Sequence, residues 1–126
     1  MPDPAVLRRK LLSLVLVLAG IAFIAVYGLM SVFPESWGWE PRQYEYEQMI
    51  AGVYAVLGVF LLIAARRPEK HLSLIWFAAV SSLVHGFIML VQALVDPVET
   101  PNLYGDIPAL ILVGLILAAL APKRLA

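Results

Sequence analysis

The stretch LSLIWFAAVSSLVHGFIMLVQALV, residues 72–95, decides how this chain is read. It holds no Asp, Glu, Lys or Arg, and as a helix rising about 1.5 Å per residue it would span roughly 36 Å, more than the ~30 Å hydrocarbon core of a bilayer. One residue stands out within it. His85 lies roughly 21 Å from His71 and about 16 Å from Asp96 on the same scale, near mid-membrane, where an imidazole is costly unless it faces other helices or a wet cavity. Helical spacing puts Ser81, Ser82, Met89, Gln92 and Asp96 on the same face, so that face is read as pointing inward.

The whole chain shares the apolar bias. Of 126 residues, 62% are hydrophobic and 14% charged, against roughly 45–50% and 25% for a soluble domain. A lipid surround explains that excess, and four apolar runs with short connections use nearly all of the length, which leaves no room for a soluble enzyme domain. The formal net charge is zero, which argues against nucleic acid, whose phosphates call for a basic face. The absence of cysteine removes disulfides, thiolate metal sites and cysteine nucleophiles.

Working outward from the central stretch gives four predicted spans, about 11–33, 48–65, 72–95 and 107–121, in one membrane domain covering 1–126. The first follows Arg8, Arg9 and Lys10 and resembles a signal peptide, with Gly20 and Ala22 as small residues near a cleavage site. The apolar run continues well past them, so it reads as an uncleaved helix. Residues 34–47 form an aqueous or interfacial loop in which Trp37 and Trp39 fit the aromatic belt of a membrane boundary. The second span stops at Arg66, Arg67 and Pro68, and the very short turn that follows makes spans two and three an antiparallel hairpin. A proline-punctuated loop then leads to Asp106, read as an N-cap, with Pro108 tolerated in the first turn. The fourth span is only about 22 Å long, so either it starts earlier or its outer end is recessed.

Charge placement sets the expected topology. Arg8, Arg9, Lys10, Arg66, Arg67, Lys70, Lys123 and Arg124 lie on one side and Arg42 alone on the other, so both termini are expected to be cytoplasmic. The opposite loops and helix ends carry Glu35, Glu40, Glu45, Glu47, Asp96, Glu99 and Asp106, an acidic outer face. Small residues at four-residue spacing, Ala78-Ser82-Gly86, Ala51-Ala55 and Gly114-Ala118, permit close backbone approach and read as packing faces.

Measured from the cytoplasmic ends, Tyr54 falls at roughly 18 Å, His85 at 21 Å, and Asp106 and Tyr27 at 25 Å, with Glu47 and Gln92 at about 28 and 31 Å. All four spans therefore contribute to one polar layer in the outer half. His85, Gln92, Asp106, Tyr54, Tyr27 and Glu47 are the candidate ligand-binding residues. Each has a plainer role as well: His85 as a histidine satisfied by an interhelical hydrogen bond, Asp106 as a cap, Glu47 as a carboxylate at a positive helix end, the tyrosines as packing residues. Ser81 and Ser82 beside His85 resemble a nucleophile and its base, but no orienting acid or oxyanion hole accompanies them, so no catalytic residue is assigned. No metal or haem is expected, because the only other histidine, His71, lies at the cytoplasmic edge and no second axial ligand is evident beside Met89.

SSLVHGFIMLVQAL at 81–94, with GDIPAL at 105–110, resembles uncharacterised small bacterial four-span membrane proteins, a domain-of-unknown-function class similar in architecture to DoxX-like proteins. The resemblance covers roughly residues 10–122. It implies a bacterial inner-membrane four-helix bundle and groups His85, Gln92 and Asp106 in one pattern, with no activity attached.

These readings converge on an all-α transmembrane four-helix bundle, both termini cytoplasmic. The favoured role is non-enzymatic: a partner subunit of a larger membrane complex, or a binder of a small amphipathic molecule such as a quinone or lipid. The rival is a redox component or proton-coupled carrier in which His85 exchanges protons with Asp106 or Glu47. A purely structural scaffold is the third class.

Overall fold

The structure, a computed structural model, describes residues 3–37, 41 and 43–122, without the side chains of Glu35 and Ser36. Expectations for Trp39, Glu40, Arg42, Lys123, Arg124 and the Glu35 side chain therefore fall outside the described residues. Among these residues the chain forms six helices, α1 (Pro4–Ile24), α2 (Val26–Val32), α3 (Pro34–Trp37), α4 (Tyr44–Arg66), α5 (Leu72–Val95) and α6 (Asp106–Leu120). Two 3-10 segments, Pro68–Lys70 and Pro97–Tyr104, complete the order, and no strand occurs among the described residues.

Local chemistry explains the helix ends. Asp3 caps α1 by accepting from the Ala5 N–H at 3.0 Å, and Pro4 occupies the first turn, where a missing donor costs nothing. Glu45 and Glu47 lie in the first turn of α4 and Arg66 in its last, each at the end its charge favours. Pro68 and Pro97 force the residues before them, Arg67 and Asp96, out of helical geometry, and α4 and α5 end there.

Two expectations are corrected. The first span is not one straight helix from 11 to 33: it begins at Pro4 and bends by 51° between α1 and α2 at Ala25. Asp106 is not the cap of the last helix. Gly105 holds that position, because the 3-10 segment carries the chain to it and helical bonding starts from its carbonyl to the Ala109 N–H at 3.3 Å. Asp106 thus lies inside the first turn and its carboxylate caps nothing. A second bend, of 50°, separates the Pro97–Tyr104 segment from α6.

The long helices pack as two pairs. α1 runs along α4 and α5 along α6, with α1 also touching α6, whereas α4 and α5 meet at few positions despite their short connection. The expected hairpin is thus a chain connection more than a packing unit. Glycine explains the pairing. A Cβ on Gly58 would lie 2.5 Å from the Gly20 carbonyl oxygen, and one on Gly20 would lie 2.8 Å from that of Gly58, so α1 and α4 cross backbone to backbone. Gly114 lies against Leu83 and the Ala79 carbonyl, and Gly86 against Ile111, making the matching contact of α5 with α6.

The tight core occupies the half nearest the termini. Leu12, Leu16, Leu61, Ile75, Ala78 and Leu117 are sealed there from all four long helices. Outside, Val53, Val56, Phe60, Phe77, Val84 and Phe87 are exposed, an apolar coat that suits acyl chains and not water. α4 and α5 are each long and apolar enough to cross a membrane, and there are up to four crossings if each bent pair counts as one.

At the basic end, arginines hold helix ends together. Arg8 donates to the carbonyls of Ala119, Leu120 and Ala121, groups that the end of α6 leaves without helical partners. Arg9 donates to Glu69 at 3.2 Å and to the Arg66 carbonyl at 3.3 Å. A hydrogen bond from its own backbone and then the Arg9 guanidinium hold the Glu69 carboxyl below the usual carboxylate range. The indole of Trp76 donates to the Pro122 carbonyl at 2.9 Å.

Candidate functional site

Beyond the sealed core the bundle opens. Past Gly20 and Gly58, α1 bends at Ala25, and α6 has only just begun at Asp106, so the four helices no longer fill the space between them. The result is a partly open cavity of about 110 Å³, several times what one water needs. Each element contributes a face. Val26, Leu29 and Met30, at helical spacing, are the inner side of α2; Ile50 and Tyr54 come from α4, His85 and Met89 from α5, Asp106 and Leu110 from α6. Trp37 reaches in from α3, so this tryptophan is part of the cavity wall.

The polar groups form a short chain. The Tyr54 hydroxyl and His85 Nδ1 share a hydrogen bond between α4 and α5, the two helices that otherwise scarcely meet. Their rings are nearly parallel, centroids 5.9 Å apart, and Phe23 stacks on Tyr54 at 5.3 Å. The three rings, one from each of three helices, set the imidazole firmly in place. With Nδ1 engaged, Nε2 is left for another partner. Asp106 faces the same cavity, and among the described residues its carboxylate accepts no hydrogen bond and pairs with no cation.

Of the six candidate residues, His85, Tyr54 and Asp106 come together on the cavity. Tyr27 does not join them: the bend at Ala25 turns Val26, Leu29 and Met30 inward and leaves Tyr27 around the helix, 43% exposed, its hydroxyl accepting from Gln48 at 3.4 Å. Gln92 is exposed as well. The Pro97–Tyr104 segment packs beside Ala93, where Thr100 donates to the Ala93 carbonyl, and Gln92 lies a step around the helix from it. Glu47 is fully buried at the start of α4 yet does not line the cavity. Phe23 and Trp37 are the residues that sequence reasoning missed. Phe23 was within reach of it, since Leu12, Leu16, Ala19, Gly20 and Phe23 recur on one helical face.

His85 and Asp106 are the metal-ligating residue types on the cavity wall, and among the described residues no three such side chains converge. The arrangement serves hydrogen bonding and charge at one end of an apolar pocket. A groove at the opposite end is lined by Arg8, Arg9 and Glu69, but their polar groups already bond to one another or to helix carbonyls.

Fold and cavity define a multi-pass helical membrane protein with a polar corner inside its bundle. The chain belongs to the family of unknown function DUF6632, whose model matches residues 7–124, the paired helices and the cavity included. No curated protein and no solved structure matches it.

Proposed function

We propose that this protein is a non-enzymatic membrane binder of a small amphipathic molecule, whose polar head enters the cavity beside His85, Tyr54 and Asp106. The observation that carries this reading is the cavity itself: an apolar wall with an imidazole nitrogen and a carboxylate left over at one corner, the pattern of a ligand site and not of a finished core. Delivery of that molecule to a larger membrane complex is compatible with the same site. Four crossings with both termini cytoplasmic is the arrangement supported by the basic residues Arg8, Arg9, Arg66, Arg67 and Lys70 at one end. The cavity then opens toward the outer half of the bilayer.

The rival proton-coupled or redox role is less well supported. A carrier needs a relay to the basic end, and the space between His85 and that end is filled by Leu12, Leu16, Leu61 and Leu117.

Native mass spectrometry of the protein released from lipid nanodiscs tests the binder reading. The unmodified chain should retain a co-purifying amphiphile, and His85→Ala should lose at least about tenfold in its occupancy, as expected when a hydrogen-bonding corner is emptied, while still inserting. An unmodified chain that carries no bound molecule, and takes up none when offered, overturns the reading.

A further inference from the structure

The cavity also specifies the charge of what it takes, an inference that rests on its being the ligand site proposed above. Among the described residues Asp106 is the only carboxylate on its wall, and no lysine or arginine lines it. Among the described residues the cations cluster at the other end, where Arg8 and Arg9 are engaged with carbonyls and Glu69. Glu99, which accepts from Asn102 at 2.8 Å, adds a second negative charge on the Asp106 side. The walls complete the pattern. Trp37 presents aromatic surface to the same space, beside the stacked rings of Phe23 and Tyr54, and aromatic faces attract cations through their negative quadrupole. An anionic head group would be repelled by the carboxylate. A carboxylate in apolar surroundings is costly unless a donor or positive charge meets it.

We propose that the ligand is an organic cation with an apolar tail: an ammonium or amine head held between the Asp106 carboxylate and the aromatic walls, its tail leaving through the open side of the cavity. His85 Nε2 accepts from an N–H of the head in the tautomer whose Nδ1–H donates to the Tyr54 hydroxyl, and that same bond keeps the imidazole aimed.

Three probes with the same tail separate the possibilities: decyltrimethylammonium, its uncharged carbon isostere, and decyl sulfate. Binding is read from the emission of Trp37 in nanodiscs, with Trp39 and Trp76 replaced by Phe. The cation should bind at least about tenfold tighter than the isostere, and Asp106→Asn should erase that difference while leaving isostere binding in place. Equal binding of cation and isostere, or preference for the sulfate, overturns the cation inference and leaves the amphiphile site standing. Failure of all three to bind removes the site itself. The comparison among probes uses the unmodified side chain at 106, so it decides the matter even if the Asn variant does not accumulate.

Discussion

Gly58→Ala puts the paired-helix architecture to its sharpest test. The added methyl group would sit 2.5 Å from the Gly20 carbonyl oxygen, 2.8 Å from Ile24 Cγ1 and 3.1 Å from the Ile24 nitrogen. Carbon and carbonyl oxygen approach no closer than about 3.3 Å in comfortable contact. The two helices must therefore part by roughly 0.8 Å, and backbone cannot swing aside as a side chain can. A gap of that size forfeits a quarter to a half of each dispersion contact along the seam. Overpacking of this kind costs about 1–3 kcal/mol. Alanine also favours helix over glycine by up to about 1 kcal/mol, which would hide part of the loss. Gly52→Ala removes that ambiguity, because Gly52 lies on the same helix and a methyl group added there would meet nothing within 4 Å. The assay is reversible unfolding in mixed detergent micelles, comparing the two variants with each other. Gly58→Ala should fall below Gly52→Ala by about 1–3 kcal/mol. Equal stabilities would refute the backbone crossing of α1 and α4.

Two further outcomes follow from the basic end. Arg8→Ala removes the donor to three carbonyls at the end of α6 and should lower stability by about 1 kcal/mol, a modest value because the site is exposed, with Arg8→Lys recovering part of it in the same assay. Glu69 is held below its usual value of 4.5, so its stabilising contribution is complete above that value and is lost as pH falls through the lower folded-state value. The stability difference between the native chain and Glu69→Gln, measured across a pH series, should accordingly be constant near neutrality and vanish in acid; a difference that grows on acidification would contradict the Arg9–Glu69 contact.

Local composition and period determined much of this protein before any tertiary structure. The helical character of the described residues, the apolar stretches of α4 and α5, their stops at Pro68 and Pro97, and the gathering of basic residues at one end all follow from what each short segment can do by itself in lipid. Position along a helix axis was legible too, which is how Tyr54, His85 and Asp106 could be placed at similar depth. Direction around the axis was not. It depends on which helices pair, and that was decided by Gly20 against Gly58 and Gly114 against Ala79, contacts between residues distant in the chain. The bend at Ala25, which no proline announces, turned Tyr27 out and Val26 and Met30 in. Trp37, on α3 beyond that bend, lines the cavity as well. Depth is a property of one helix, while facing is a property of the neighbours it packs against, and only the assembled bundle decides the second.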